Sequence, residues 1–228
     1  LINLLSKEFK VDPDKGAYDR FLSLEMVWPD NALIRAYVLS PRLGKISADL
    51  LEVTAVRLYH DNVLAKQAGC GRTPWHFDDH HFPLDTNDVV TAWAPAQPIP
   101  IEMGPLTFAY PLDVHKLVNT VTFEKTGTGY DRGVSDVFSK NNVSVNKTPF
   151  EMGEVSFHHN LNFHSAPRNR PNLSRVALAN TYYREGARVV SAPTMVSGDW
   201  QKFMPNVKPG DVAASPLNPI CWPVKDKS

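Results

Sequence analysis

Cysteine and long apolar runs are both scarce in this chain. Cys70 and Cys221 are its two cysteines, far apart and without the close spacing of metal knots or disulfide-rich scaffolds. A cysteine-built metal site is therefore excluded, and a reducing, cytoplasmic setting is expected. No apolar run approaches the ~20 residues that cross a bilayer, and no signal-peptide pattern opens the chain, so no membrane partner is expected. Excess charge of one sign is missing too. Lys+Arg and Asp+Glu stand at 24 each, which leaves no basic face for nucleic acid. The chain opens at Leu1 rather than Met, so an upstream piece is expected to be missing. Oligomeric state is left open.

What is present fits one globular domain. The 228 residues are 43% hydrophobic and 21% charged, enough to bury a single core. Residues 1–52 read as a helical part, with Pro29-Asp30-Asn31 as a helix start and helical periodicity over Asn31–Leu39 and Pro41–Leu51. From Val53 to about residue 185 the texture is β-type: Val53–Tyr59, Asn62–Lys66, Val89–Ala94, Leu106–Tyr110, Val155–His158 and Arg175–Tyr183. Nineteen prolines, many of them between these runs, suit short strands better than a helical bundle. A mainly β fold with flanking helices, a barrel or two-sheet jelly roll, is expected. Residues 116–150 are polar and weakly periodic, as in a lid or an insert.

Six of the eight histidines fall in two clusters, Trp75-His76-Phe77-Asp78-Asp79-His80-His81-Phe82 and Phe157-His158-His159-Asn160-Leu161-Asn162-Phe163-His164. On a strand, positions i and i+2 share a face, so His76 and Asp78 can aim an imidazole and a carboxylate at one point while Phe77 faces away. One more histidine would complete a two-histidine, one-carboxylate set that leaves open positions on a metal. His158, His159 and His164 compete for that place, as Arg168, Arg170 and Arg175 compete to anchor an anion. Arg168 and Arg170 sit in a turn-like stretch. Arg175 opens a strand whose same-face neighbours Ala177, Ala179 and Thr181 are small enough to leave a cavity. His164 precedes the turn into that strand, so the two strands are expected to pair as a hairpin, with His164 and Arg175 at one pocket. His158 and His159 are then expected to pack or to support the ligands from behind. His60 and His115 are expected at the surface or hydrogen-bonded in the core.

At this point the sequence resembles the phytanoyl-CoA dioxygenase superfamily of iron(II)/2-oxoglutarate oxygenases. The resemblance rests on Leu58–Lys66, Pro74-Trp75-His76-Phe77-Asp78 with His81-Phe82-Pro83, Val89–Trp93, Glu102–Leu106, Gly153–Phe157, His164 and Arg175. It implies a cupin-like double-stranded β-helix and iron(II) at His76, Asp78 and His164. It also implies 2-oxoglutarate at Arg175, with Asn62, Trp93 and Ser165 lining its site, and O2 as oxidant. A small-molecule substrate would be hydroxylated, with Phe77, His81 and Phe82 as candidate contacts. Halogenating relatives carry a small residue where Asp78 stands, so Asp78 favours hydroxylation over halogenation. The sequence departs from the family pattern at Phe77, Met103, Pro111–His115 and Ala166, away from the implied ligands. Two alternatives are an acyl-CoA hydroxylase and a catalytically silent, cupin-like binding protein. Lys116, Lys125 and Arg132 are too scattered to cradle CoA phosphates, which favours a free metabolite.

Overall fold

The computed structural model describes residues 20–123, 128–193 and 198–223. Ten strands run in chain order: β1 (Phe21–Glu25), β2 (Val56–Lys66), β3 (Thr73–His76), β4 (Val89–Pro95), β5 (Thr107–Tyr110), β6 (Ser144–Asn146), β7 (Ser156–His159), β8 (His164–Ala166), β9 (Arg175–Arg184) and β10 (Ile220–Trp222). They form two antiparallel sheets. The larger has the order β1-β2-β9-β4-β7 with β10 also on β2; the smaller is β3-β8-β5-β6. This is the mainly β, cupin-like architecture expected.

Helices α1 (Ala32–Val38) and α2 (Pro41–Leu50) lie where periodicity placed them. The Asn31 side chain caps α1 by accepting from the amides of Leu33 and Ile34. Pro41 starts α2, where a missing N–H costs nothing. The pair buries Ile34, Val38, Leu43 and Ala48 against the outer face of the larger sheet, on Leu58, Val90, Leu178 and Tyr182. The helical reading of the N-terminal part fails at β1, which pairs with β2 from Phe21 opposite Lys66 to Glu25 opposite Asn62. Ladder bonds to an existing strand outweigh so short a segment's own preference. Residues 1–19 of that part lie outside the described residues.

Val53–Tyr59 and Asn62–Lys66, read as two runs, merge into one strand, β2, which starts only at Val56 and whose register on β9 shifts between Leu58 and His60. The shift has a functional consequence. Leu58 packs into the outer core with Val63 and Ala65, whereas His60, Asn62 and Leu64 line an interior cavity. A regular strand would place Leu58 and His60 on one face; one extra residue reverses the alternation and turns His60 and Asn62 inward.

Residues 116–150, expected as a lid or insert, contain regular structure. After the short α3 (Val114–Leu117) come α4 (Gly129–Lys140) and β6. Tyr130 and Val134 of α4 pack with Ala109 and Phe163, and the Tyr130 hydroxyl donates to the carbonyl of Trp75 at 2.8 Å. The helix thus buttresses the strand that ends in His76. Lys125 lies outside the described residues.

Candidate metal centre

His76 is the last residue of β3 and His164 the first of β8, and the two are direct partners across the antiparallel ladder. Their rings stand 4.2 Å apart between centroids. Asp78 is not on the strand, which corrects the expectation of strand alternation. Its backbone is helical (φ −89, ψ −13), at the start of a 3-10 turn over Asp79–His81. The chain bends back there because the amides of Asp78 and Asp79 both donate to the carbonyl of Asn160, at 2.8 and 3.2 Å.

The result is still convergence. Asp78 Oδ1 lies 3.7 Å from Nε2 of His76 and 3.7 Å from Nε2 of His164. One donor atom from each of the three residues falls within 4.8 Å of the others. Both histidines are held from behind, since His76 Nδ1 donates to the carbonyl of Pro74 at 2.8 Å and His164 Nδ1 to that of Asn162 at 2.9 Å. Those bonds fix the tautomer and present Nε2 to the shared point. Burial, helped by the neighbouring His164, pulls His76 down to about 4, and burial lowers His164 as well. Both imidazoles are therefore unprotonated at neutral pH, the form that binds metal. Burial alone would raise the Asp78 carboxyl; His164, His158 and His76 outweigh it and hold the group well below the usual carboxylate range.

The same three residues line a cavity of about 440 Å³ together with Asn62, Trp93 and Arg175. Arg175 is 2% exposed. One Nη1–H goes to the carbonyl of Gly104 at 2.6 Å, its guanidinium lies 5.5 Å from the Trp93 ring, and its buried Nε has no partner. Burial lowers it only to about 10, so it stays charged at neutral pH. A buried cation with donor capacity left over suits a ligand carrying a carboxylate.

His164 and Arg175 meet at this cavity, but not through a hairpin. β8 belongs to the smaller sheet and β9 to the larger, so the turn between them carries the chain across the sandwich. Arg168 and Arg170 within that turn are exposed. Ser165, expected to line the co-substrate site, is buried between His164 and Ala166 but does not line the cavity as they do, because strand alternation turns it away. Phe77, a candidate substrate contact, packs instead with the cluster around Phe163 and against the rings of His80 and His115. His81 and Phe82 do line the cavity.

The sequence reading missed three contributors. His60 lines the cavity among the rings of Tyr59, Phe82 and Phe203, and only the bulge in β2 could have revealed it. Thr91 and Thr181 face each other with their hydroxyls 3.0 Å apart; Thr181 was in view as a small neighbour, not as a polar one. Lys66 is fully buried, with Nζ donating to the carbonyls of Gly71, Ala166 and Pro167 at 2.8 to 3.1 Å.

The family model described as phytanoyl-CoA dioxygenase (PhyH) matches residues 15–177. The chain belongs to that family. As a phytanoyl-CoA dioxygenase family member it also resembles solved structures, which share its fold. The carbocyclase SnoK of nogalamycin biosynthesis, a non-haem α-ketoglutarate-dependent enzyme, superposes with a TM-score of 0.73 at 22% identity, over 96% of this chain and 83% of SnoK. The epimerase SnoN, in complex with Fe3+, α-ketoglutarate and nogalamycin RO, gives a TM-score of 0.73 at 22% identity over 96% and 86%. EctD from S. alaskensis, with 2-oxoglutarate and 5-hydroxyectoine, gives 0.63 at 14% identity over 94% and 77%. No curated protein sequence matches the chain.

Proposed function

We propose that this family member is an iron(II)- and 2-oxoglutarate-dependent dioxygenase that hydroxylates an unactivated C–H bond of a small organic metabolite. The oxygen of O2 is divided between the new alcohol and succinate, with release of CO2. The observation that carries this reading is one shared cavity: the His76, Asp78 and His164 donors converge at it, and Arg175, whose buried Nε has no partner, lines the same space. Two imidazoles and one carboxylate fit iron(II) and leave positions open for a chelating keto acid. When bound, iron(II) supplies the oxygen-activating chemistry.

The chain's residues do the rest. His76 and His164 present fixed, unprotonated Nε2 atoms, and Asp78 supplies a negative charge that its neighbours keep ionised. Arg175, steadied by Gly104 and Trp93, takes the far carboxylate of 2-oxoglutarate, while Asn62 and Trp93 line its path. Thr91 and Thr181 add polar wall, and His81 with Phe82 borders the substrate side. With Asp78 present, hydroxylation is favoured over halogenation.

A free metabolite is preferred to an acyl-CoA thioester on charge. Toward the mouth the cavity carries Glu25, Asp199 and Lys202, and Lys202 is paired with Glu25 at 2.5 Å. Such a rim offers little to CoA phosphates. The neighbours named above bear on small-molecule ligands in the same way, through nogalamycin RO and 5-hydroxyectoine in their complexes.

The test is succinate formation from 2-oxoglutarate with iron(II), ascorbate and a panel of metabolites. Turnover in the wild type that disappears in His76→Ala and Asp78→Ala supports the reading. Iron binding without succinate under any condition would leave a silent binding protein as the better account.

A further inference from the structure

The two oxygens of Asp78 face different partners. Oδ1 looks toward the Nε2 atoms of His76 and His164, at 3.7 Å from each. Oδ2 lies 3.5 Å from Nε2 of His158, which is 6% exposed and falls outside the set of donors that can share one ion. The ring of His158 is clamped between that of His164, at 4.7 Å, and that of Phe108, at 5.6 Å. Its backbone is fixed as well, opposite Thr91 in the β4–β7 ladder.

We propose that His158 is a positioning residue for the metal: its Nε2–H holds Asp78 by Oδ2, so that only Oδ1 is offered to the ion. The inference rests on His76, Asp78 and His164 being a metal site, and adds the element that decides how the carboxylate binds. A carboxylate free to swing could chelate through both oxygens and occupy a position the keto acid needs. At 3.5 Å the contact is longer than a fully formed hydrogen bond, and a small approach of the carboxylate closes it. The alternating run His158, Asn160, Asn162, His164 then reads as one device. His158 meets the Asp78 carboxylate, Asn160 takes the Asp78 amide, Asn162 takes the His164 Nδ1–H, and His164 is the ligand.

His158 has a second location that shapes the test. Of the described residues it alone lines both the cavity at His76, Asp78 and His164 and an outer groove of about 980 Å³ between β7 and the paired strands β5 and β6. Truncation to alanine would open that wall, so variants that keep volume are required. His158→Gln can return an N–H near the Nε2 position, His158→Leu fills space without a donor, and His158→Asn has a donor that ends short.

Cobalt(II) binding by the purified full chain, followed by titration and by its visible d–d spectrum, reads metal affinity and ligand geometry apart from activity. His158→Leu and His158→Asn are expected to weaken cobalt(II) binding by roughly 10–100-fold and to alter the spectrum, while His158→Gln recovers most of both. Thermal melts of the metal-free variants identify any that fail to fold, and one non-donating variant that folds is sufficient. The inference is overturned if that variant binds cobalt(II) with wild-type affinity and spectrum, or if His158→Gln is impaired to the same degree. Failure of the wild type to bind cobalt(II) would instead overturn the metal-site reading, and this inference with it.

Discussion

Lys66 and Arg175 are register partners across the β2–β9 ladder, two buried cations side by side. Lys66 gives its three ammonium protons to the carbonyls of Gly71, Ala166 and Pro167. Arg175 gives one Nη1–H to Gly104 and keeps its Nε without a partner. The donors of Lys66 are satisfied by the fold, whereas Arg175 keeps donor capacity over. Burial, with Arg175 adding to it, lowers Lys66; the three carbonyl acceptors oppose that and favour the ammonium form, which alone has three hydrogens to give.

Arg175→Ala should raise the 2-oxoglutarate concentration needed for half-maximal succinate formation by roughly 10–100-fold, the worth of a charge-assisted contact. Arg175→Lys should fall between, since an ammonium lacks the planar fork. A 2-oxoglutarate titration of each variant measures this, and an unchanged requirement in Arg175→Ala would show that the anchor lies elsewhere.

Gly104→Ala should weaken 2-oxoglutarate binding without touching the pocket. Gly104 has φ +70, and an added Cβ would lie 2.2 Å from the carbonyl oxygen of Pro167. The backbone must move, and its carbonyl is the one that steadies Arg175. A lower melting temperature together with a raised 2-oxoglutarate requirement is expected; a variant with wild-type values for both would break the link between this turn and the arginine.

Lys66→Met should cost about 3 kcal/mol or more, because the alkyl stem still fits but three buried carbonyls lose their donor. The midpoint of urea unfolding reads the loss. A change within 0.5 kcal/mol, roughly that of an ordinary surface substitution, would mean that these carbonyls find other donors.

His60 sets an acid limit on stability. Burial lowers it from 6.5 to about 4, so as pH falls through that window the unfolded chain takes up a proton that the folded chain refuses. Stability present above pH 6.5 is therefore lost progressively toward pH 4, by up to about 3 kcal/mol from this residue. His60→Phe, placed among aromatic rings, should flatten the acid limb when metal-free proteins are melted between pH 4 and 7. Parallel curves for the two proteins would refute the assignment.

Much of the site could be read from local residue patterns. His76 and Asp78 stand in a His-x-Asp that gains its weight from the second histidine cluster, and Arg175 opens a run of small residues. The partial misreadings share one cause. Asp78 reaches the metal point through a turn pinned by Asn160 rather than by strand alternation, and β8 pairs with β3 rather than with β9. Both depend on bonds between segments about 80 residues apart, which leave no local periodicity. β1 escaped for the same reason, since a five-residue strand is defined by its neighbour.

The order of residue types along the chain determined the class of chemistry, through two imidazoles, one carboxylate and one arginine in segments that favour strands. Tertiary structure decided which faces those groups present. It turned His60 inward and Ser165 away, and gave the two oxygens of Asp78 different neighbours. Those choices come from strand register and one bulge, where a shift of a single residue exchanges the inner and outer faces of a strand.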